Sequence, residues 1–95
     1  MVTKEQIQAW KEKYGDVFRI KVEDKECYLK KPTRKILGYA SVAGQSNPLG
    51  FNEVIMRDCW LGGDEQMRND DTLFLSACSK IAELIEIKDA ELEKL

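Results

Sequence analysis

The stretch Asp16-Val17-Phe18-Arg19-Ile20-Lys21-Val22-Glu23-Asp24-Lys25-Glu26-Cys27-Tyr28-Leu29-Lys30-Lys31 decides the fold. Phe18, Ile20 and Val22 alternate with Arg19 and Lys21. That period of two sends apolar side chains to one face of a strand and charges to the other. The charged run Glu23-Asp24-Lys25-Glu26 interrupts it, and Cys27-Tyr28-Leu29-Lys30 resumes with a less regular alternation. Two short segments about a polar turn predict a β-hairpin over 16–31. An isolated hairpin is marginal in water, so this one must pack on helices or join another sheet.

Upstream, Thr3-Lys4-Glu5-Gln6 reads as a capping box. Ile7, Trp10 and Tyr14 follow on one face and Gly15 supplies a stop, predicting a helix over 4–14. Downstream, Pro32 ends the second strand and Thr33 caps a helix over 33–43, with Ile36, Leu37, Ala40 and Ala43 on its apolar side before Gly44. Asn47-Pro48 reads as a cap with proline at the first helical position. Phe51, Val54, Ile55 and Cys59 carry that helix over 48–60. Gly50 is expected to weaken its first turn by roughly 1 kcal/mol relative to alanine.

Leu61-Gly62-Gly63-Asp64 reads as a break followed by a short turn of helix. Asn69-Asp70-Asp71 then places negative charge at the start of the longest element, a helix over 71–92. Phe74, Ala77, Ile81, Leu84 and Lys88 follow at three- and four-residue spacing, flanked by Leu73, Ile85 and Leu92. The expected fold class is α+β: about four helices with one β-hairpin packed on them, in a single domain over 1–95. Phe18, Ile20, Ile36, Val54, Ile55, Phe74, Ala77, Ile81 and Leu84 form its expected core.

The composition narrows the function. Ninety-five residues suit one domain with little room for a deep active-site cavity. With 43% hydrophobic and 34% charged residues the chain is expected to fold and to be soluble. A net charge of −2 gives no general reason to seek nucleic acid or acidic lipid. No apolar stretch is long enough to cross a bilayer, and the first residues lack the apolar segment of a signal peptide, so a cytoplasmic location is expected.

Candidate chemistry is sparse. Cys27, Cys59 and Cys78 show no CxxC spacing, and the chain has no histidine to complete a zinc set or act as a general base near neutral pH. The cysteines read as small buried hydrophobes. Asp64, Glu65, Asp70 and Asp71 form a loose acidic cluster without the pattern of a calcium loop, better explained as helix capping and solvated charge. Ser41 lies in no nucleophile-elbow context, and Gly62-Gly63 lacks the lysine and hydroxyl residue of a phosphate loop. No catalytic, metal or cofactor site is therefore expected. Trp10 and Trp60 are the most informative side chains, with a core role as the default reading and a partner role as the other. Trp60, Ile85, Leu92 and Leu95 are the candidate partner-binding residues, because the terminal segment carries apolar side chains on more than one face.

Three stretches together resemble the tail assembly chaperones of tailed phages. These are the amphipathic helix leading into the hairpin from Trp10 to Leu29, the junction Tyr28-Leu29-Lys30-Lys31-Pro32-Thr33-Arg34, and Asp58-Cys59-Trp60-Leu61-Gly62-Gly63-Asp64 before a terminal amphipathic helix. The resemblance spans nearly the whole chain as an order of elements. It implies a non-enzymatic chaperone in the bacterial host cytoplasm that binds a tape-measure protein, keeps it soluble and helps tail-tube subunits assemble around it. Homo-oligomer formation fits the same surfaces. Two alternatives follow from the residues: a structural virion or tail-completion subunit that extends a sheet through the hairpin, and a small nucleic-acid-binding regulator using the basic run Lys30, Lys31, Arg34 and Lys35.

Overall fold

The computed structural model describes residues 2–85 and 90–95. In chain order the elements are α1 (Lys4–Tyr14), β1 (Val17–Val22), β2 (Lys25–Lys30), α2 (Arg34–Ser46), α3 (Gly50–Asp58), β3 (Trp60–Gly63), α4 (Gln66–Asn69) and α5 (Asp71–Ile81). A 3₁₀ turn over Ala82–Leu84 closes the series. The α+β class is as expected, but the described residues form five helices and three strands in place of about four helices and a hairpin.

The hairpin forms where the alternation places it, with Phe18 opposite Leu29 and Ile20 opposite Cys27. It is not a lone hairpin. The segment read as a break, Leu61-Gly62-Gly63, lies within β3, which pairs antiparallel with β2 and makes a sheet of order β1-β2-β3. Glycine is what admits it there. Gly63 has φ +120, and a Cβ at that position would stand 2.6 Å from the Cα of Cys27. Glycine inside a strand marks such a close backbone approach, and its turn-like composition hides the strand.

Burial explains the irregular alternation of β2. Cys27 and Leu29 are fully buried in the cluster formed with Ile55, Met56, Cys59, Met67, Ala77 and Ile81. Tyr28 points to the opposite face, yet it too is buried, under Trp10 of α1, with ring centroids 5.8 Å apart. The middle strand is thus covered on both faces, by the α2–α5 side and by α1. Buried on both sides, a strand reads as a continuous apolar run instead of an alternation. Of the expected core, Ile20, Val54, Ile55, Ala77, Ile81 and Leu84 are buried, whereas Phe18, Ile36 and Phe74 are half-buried around its edge.

Four helix boundaries shift from their expected places, three of them around α2 and α3. α2 runs past Gly44 to Ser46, because Gly44 serves close packing on Phe51 rather than a stop: a Cβ there would lie 3.3 Å from Phe51 Cβ. α3 begins at Gly50 and ends at Asp58, not 48–60. At its start Asn47 closes α2 as C-cap, and its Oδ1 accepts from the Leu49 N–H. At its end Trp60 leaves for the sheet. A Cβ on Gly50 would collide with the Ala43 carbonyl oxygen, so this glycine holds the α2–α3 pair together instead of weakening it.

The largest shift is at the end of the chain. The helix expected over 71–92 is α-helical only to Ile81, then tightens into the 3₁₀ turn, with Ile85 already extended at φ −92, ψ 108. Among the described residues, Ile81 and Leu84 are the last side chains to reach the core. Residues 90–95 have no regular structure and are exposed, and without a packed face a short helix is not sustained in water. Residues 86–89 of that expected helix lie outside the described residues. Among the described residues no helix is long and apolar enough to cross a membrane.

Candidate functional site

On the outer face of the sheet, opposite the core, a cleft of about 510 Å³ opens between α1 and the β2–β3 pair. Its wall includes Val2, Trp10, Tyr28, Leu61 and the carboxylates of Asp24, Glu26 and Asp64.

The local sequence builds it piece by piece. The capping box forms as read: Thr3 Oγ1 accepts from the Gln6 N–H at 3.2 Å and Gln6 Oε1 accepts from the Thr3 N–H at 2.9 Å. This fixes the first turn of α1 and sets Trp10, one turn on from Gln6, over the sheet. There the indole meets Gly62, where a Cβ would lie 3.0 Å from its edge. Gly62 stands directly opposite Tyr28 in the ladder, so one missing side chain lets the Trp10 ring reach the strand.

Two of the carboxylates, Glu26 and Asp64, have defined hydrogen-bond partners. Tyr28 Oη donates to Glu26 Oε1 at 2.9 Å, and the two side chains share a face because they are two residues apart on a strand. Asp64 Oδ2 accepts from the Glu26 N–H at 2.9 Å, while the Asp64 N–H donates to the Glu26 carbonyl at 2.8 Å. Asp24 comes from the hairpin turn, where Glu23 adopts φ 55. Arg19, opposite Tyr28, brings its guanidinium to 3.9 Å from Glu26 Oε2. Burial, and then the bond to Glu26, push the Tyr28 phenol above its ordinary value, so it stays a neutral donor.

Burial pushes the Cys27 and Cys59 thiols up to about 11, in keeping with their reading as small buried hydrophobes, whereas Cys78, also raised by burial, is only half-buried. The loose acidic cluster disperses. Asp70 Oδ1 caps α5 by accepting from the Leu73 N–H at 3.0 Å, Glu65 pairs with Arg68, and Asp64 alone joins the cleft. The basic run is split between β2 and α2, and the Lys30 ammonium sits 4.9 Å from the Tyr14 ring centroid.

The four candidate partner-binding residues do not form one patch. Trp60 lies on β3 opposite Leu29, half-buried against the core, with the Arg68 guanidinium 4.1 Å above its ring. Ile85 is half-buried after the 3₁₀ turn. Leu92 and Leu95 are fully exposed, at 102% and 109%, so neither packs on the other two. A separate apolar pair stands on α2, where Tyr39 and Val42 are 55% and 65% exposed at helical spacing.

Sequence reasoning missed Asp24, Glu26, Tyr28 and Gly62 as a unit. The available signal was Glu26 and Tyr28 at strand spacing, together with a tryptophan on the stripe of the preceding helix. The chain matches no family model, no curated protein and no solved structure.

Proposed function

We propose that this chain is a non-enzymatic, protein-binding chaperone of phage tail assembly that engages the helical tape-measure protein. The carrying observation is the uncovered apolar pair Tyr39 and Val42 on the outer side of α2. Large apolar side chains one turn apart are the means by which a helix receives a second amphipathic helix. A tape-measure protein awaiting assembly is long and helical with apolar side chains to shield, and the order of elements resembling tail assembly chaperones points to the same partner.

The test is co-expression with a tape-measure protein, read as the amount kept soluble and co-purified. Tyr39→Ser with Val42→Ser should leave the denaturation midpoint near wild type, since both side chains already face water, and should abolish co-purification. Undiminished co-purification by that variant contradicts the reading. So does recovery of the chain in stoichiometric amounts from mature particles, which would mark a structural subunit.

A further inference from the structure

We propose that the cleft between α1 and the β2–β3 pair receives the charged head of an arginine or lysine side chain from a protein partner. The stem of that side chain lies along the half-buried Trp10 ring, and its head meets Glu26, Asp24 and Asp64. The protein source rests on the function proposed above, but binding of the cation does not.

Three features converge on this chemistry. The volume, about 510 Å³, is within the range of small-ligand sites and holds a long side chain. The half-buried Trp10 ring, packed over the buried Tyr28 ring at 5.8 Å, lines it, and aromatic faces attract organic cations. Three carboxylates surround the same space and disfavour an anion. Their spread argues against a metal as occupant, because a small hard cation needs oxygen ligands converging at short range. Among the described residues no group of three potential ligands is close enough to hold one. A guanidinium or ammonium on an apolar stem matches ring and carboxylates together, with the stem on the ring and the head among the acids. The molecule already pairs cations with rings, the Lys30 ammonium over Tyr14 and the Arg68 guanidinium over Trp60. Arg19 is outside the cleft wall and reaches Glu26 Oε2 only at 3.9 Å, an exposed pairing of little strength.

The experiment titrates ¹⁵N-labelled protein with N-acetyl-arginine methylamide and N-acetyl-lysine methylamide. N-acetyl-citrulline methylamide is the neutral control and spermidine the free-polyamine arm. The backbone signals of Gly62 and Gly63 should shift saturably with the arginine or lysine probe and stay still with citrulline. Asp24→Asn combined with Glu26→Gln keeps the shapes and the acceptor for Tyr28, and should weaken binding about tenfold. Equal shifts with citrulline, or none with either cation, overturn the proposal. Spermidine saturating at lower concentration than both blocked residues assigns the cleft to a free polyamine and overturns the protein source. Because no partner is present, failure here leaves the tape-measure reading standing, and failed co-purification leaves this result intact.

Discussion

The two faces of the sheet are built from the same strands to opposite ends. On one, Phe18, Ile20, Cys27 and Leu29 meet α3–α5 in a core with no buried polar side chain among the described residues. On the other, Arg19, Glu26, Tyr28 and Gly62 meet a single helix whose residues are all at least partly exposed, and a cleft remains. Close packing on the first face supplies stability, because every atom there has partners. Thin cover on the second leaves charge and aromatic surface free for a ligand.

The largest effect should come from the packed face. Leu29→Ala removes a fully buried side chain at the centre of the middle strand and should cost about 3–5 kcal/mol in chemical denaturation. A loss below about 1 kcal/mol would mean that the core face collapses as easily as a surface.

Alkaline pH should unsettle the same face next. The Cys27 and Cys59 thiols ionise near 9 in the unfolded chain and near 11 when buried. The folded state therefore holds its protons longer, and stability is fully present below pH 9. It falls as pH rises toward 11, by on the order of 2 kcal/mol per thiol. Tyr28, also raised by burial, acts with the same sign at higher pH. Denaturation midpoints across this window should flatten in Cys27→Ala, and an unchanged slope would remove the thiol from the account.

These elements also show what the sequence could convey. The hairpin, α1 with its capping box, and the starts of α2 and α5 were legible because each rests on local chemistry: alternation, Thr3 with Gln6, Thr33, Asp70. Strand β3 was not, since Gly62 and Gly63 are chosen for what they let approach, the Trp10 ring and the β2 backbone, and both neighbours are distant in sequence. The reach of the last helix failed for a related reason. Leu92 and Leu95 continue an apolar pattern, but only the folded core decides whether a pattern finds a surface, and among the described residues Leu84 is the last to be buried in it. The cleft was illegible as a whole because its wall draws on three elements and a turn, although Trp10 stood out alone.

On the outer face the expected energetic effects are small. Tyr28→Phe keeps the ring beside Trp10 and removes the bond to Glu26, so it should cost about 1 kcal/mol. A loss as large as that of Leu29→Ala would erase the contrast between the faces.

The chain has two tryptophans, one on each side of this division, and their indole N–H signals report on both at once. Trp10 walls the cleft, while Trp60 is half-buried against the core beneath Arg68. Their signals are assigned with Trp10→Phe and followed during titration with N-acetyl-arginine methylamide. The account predicts a saturable shift of the Trp10 signal with the Trp60 signal still. Movement of the Trp60 signal with Trp10 unmoved would contradict it and return the binding role to the residue that the sequence alone had favoured.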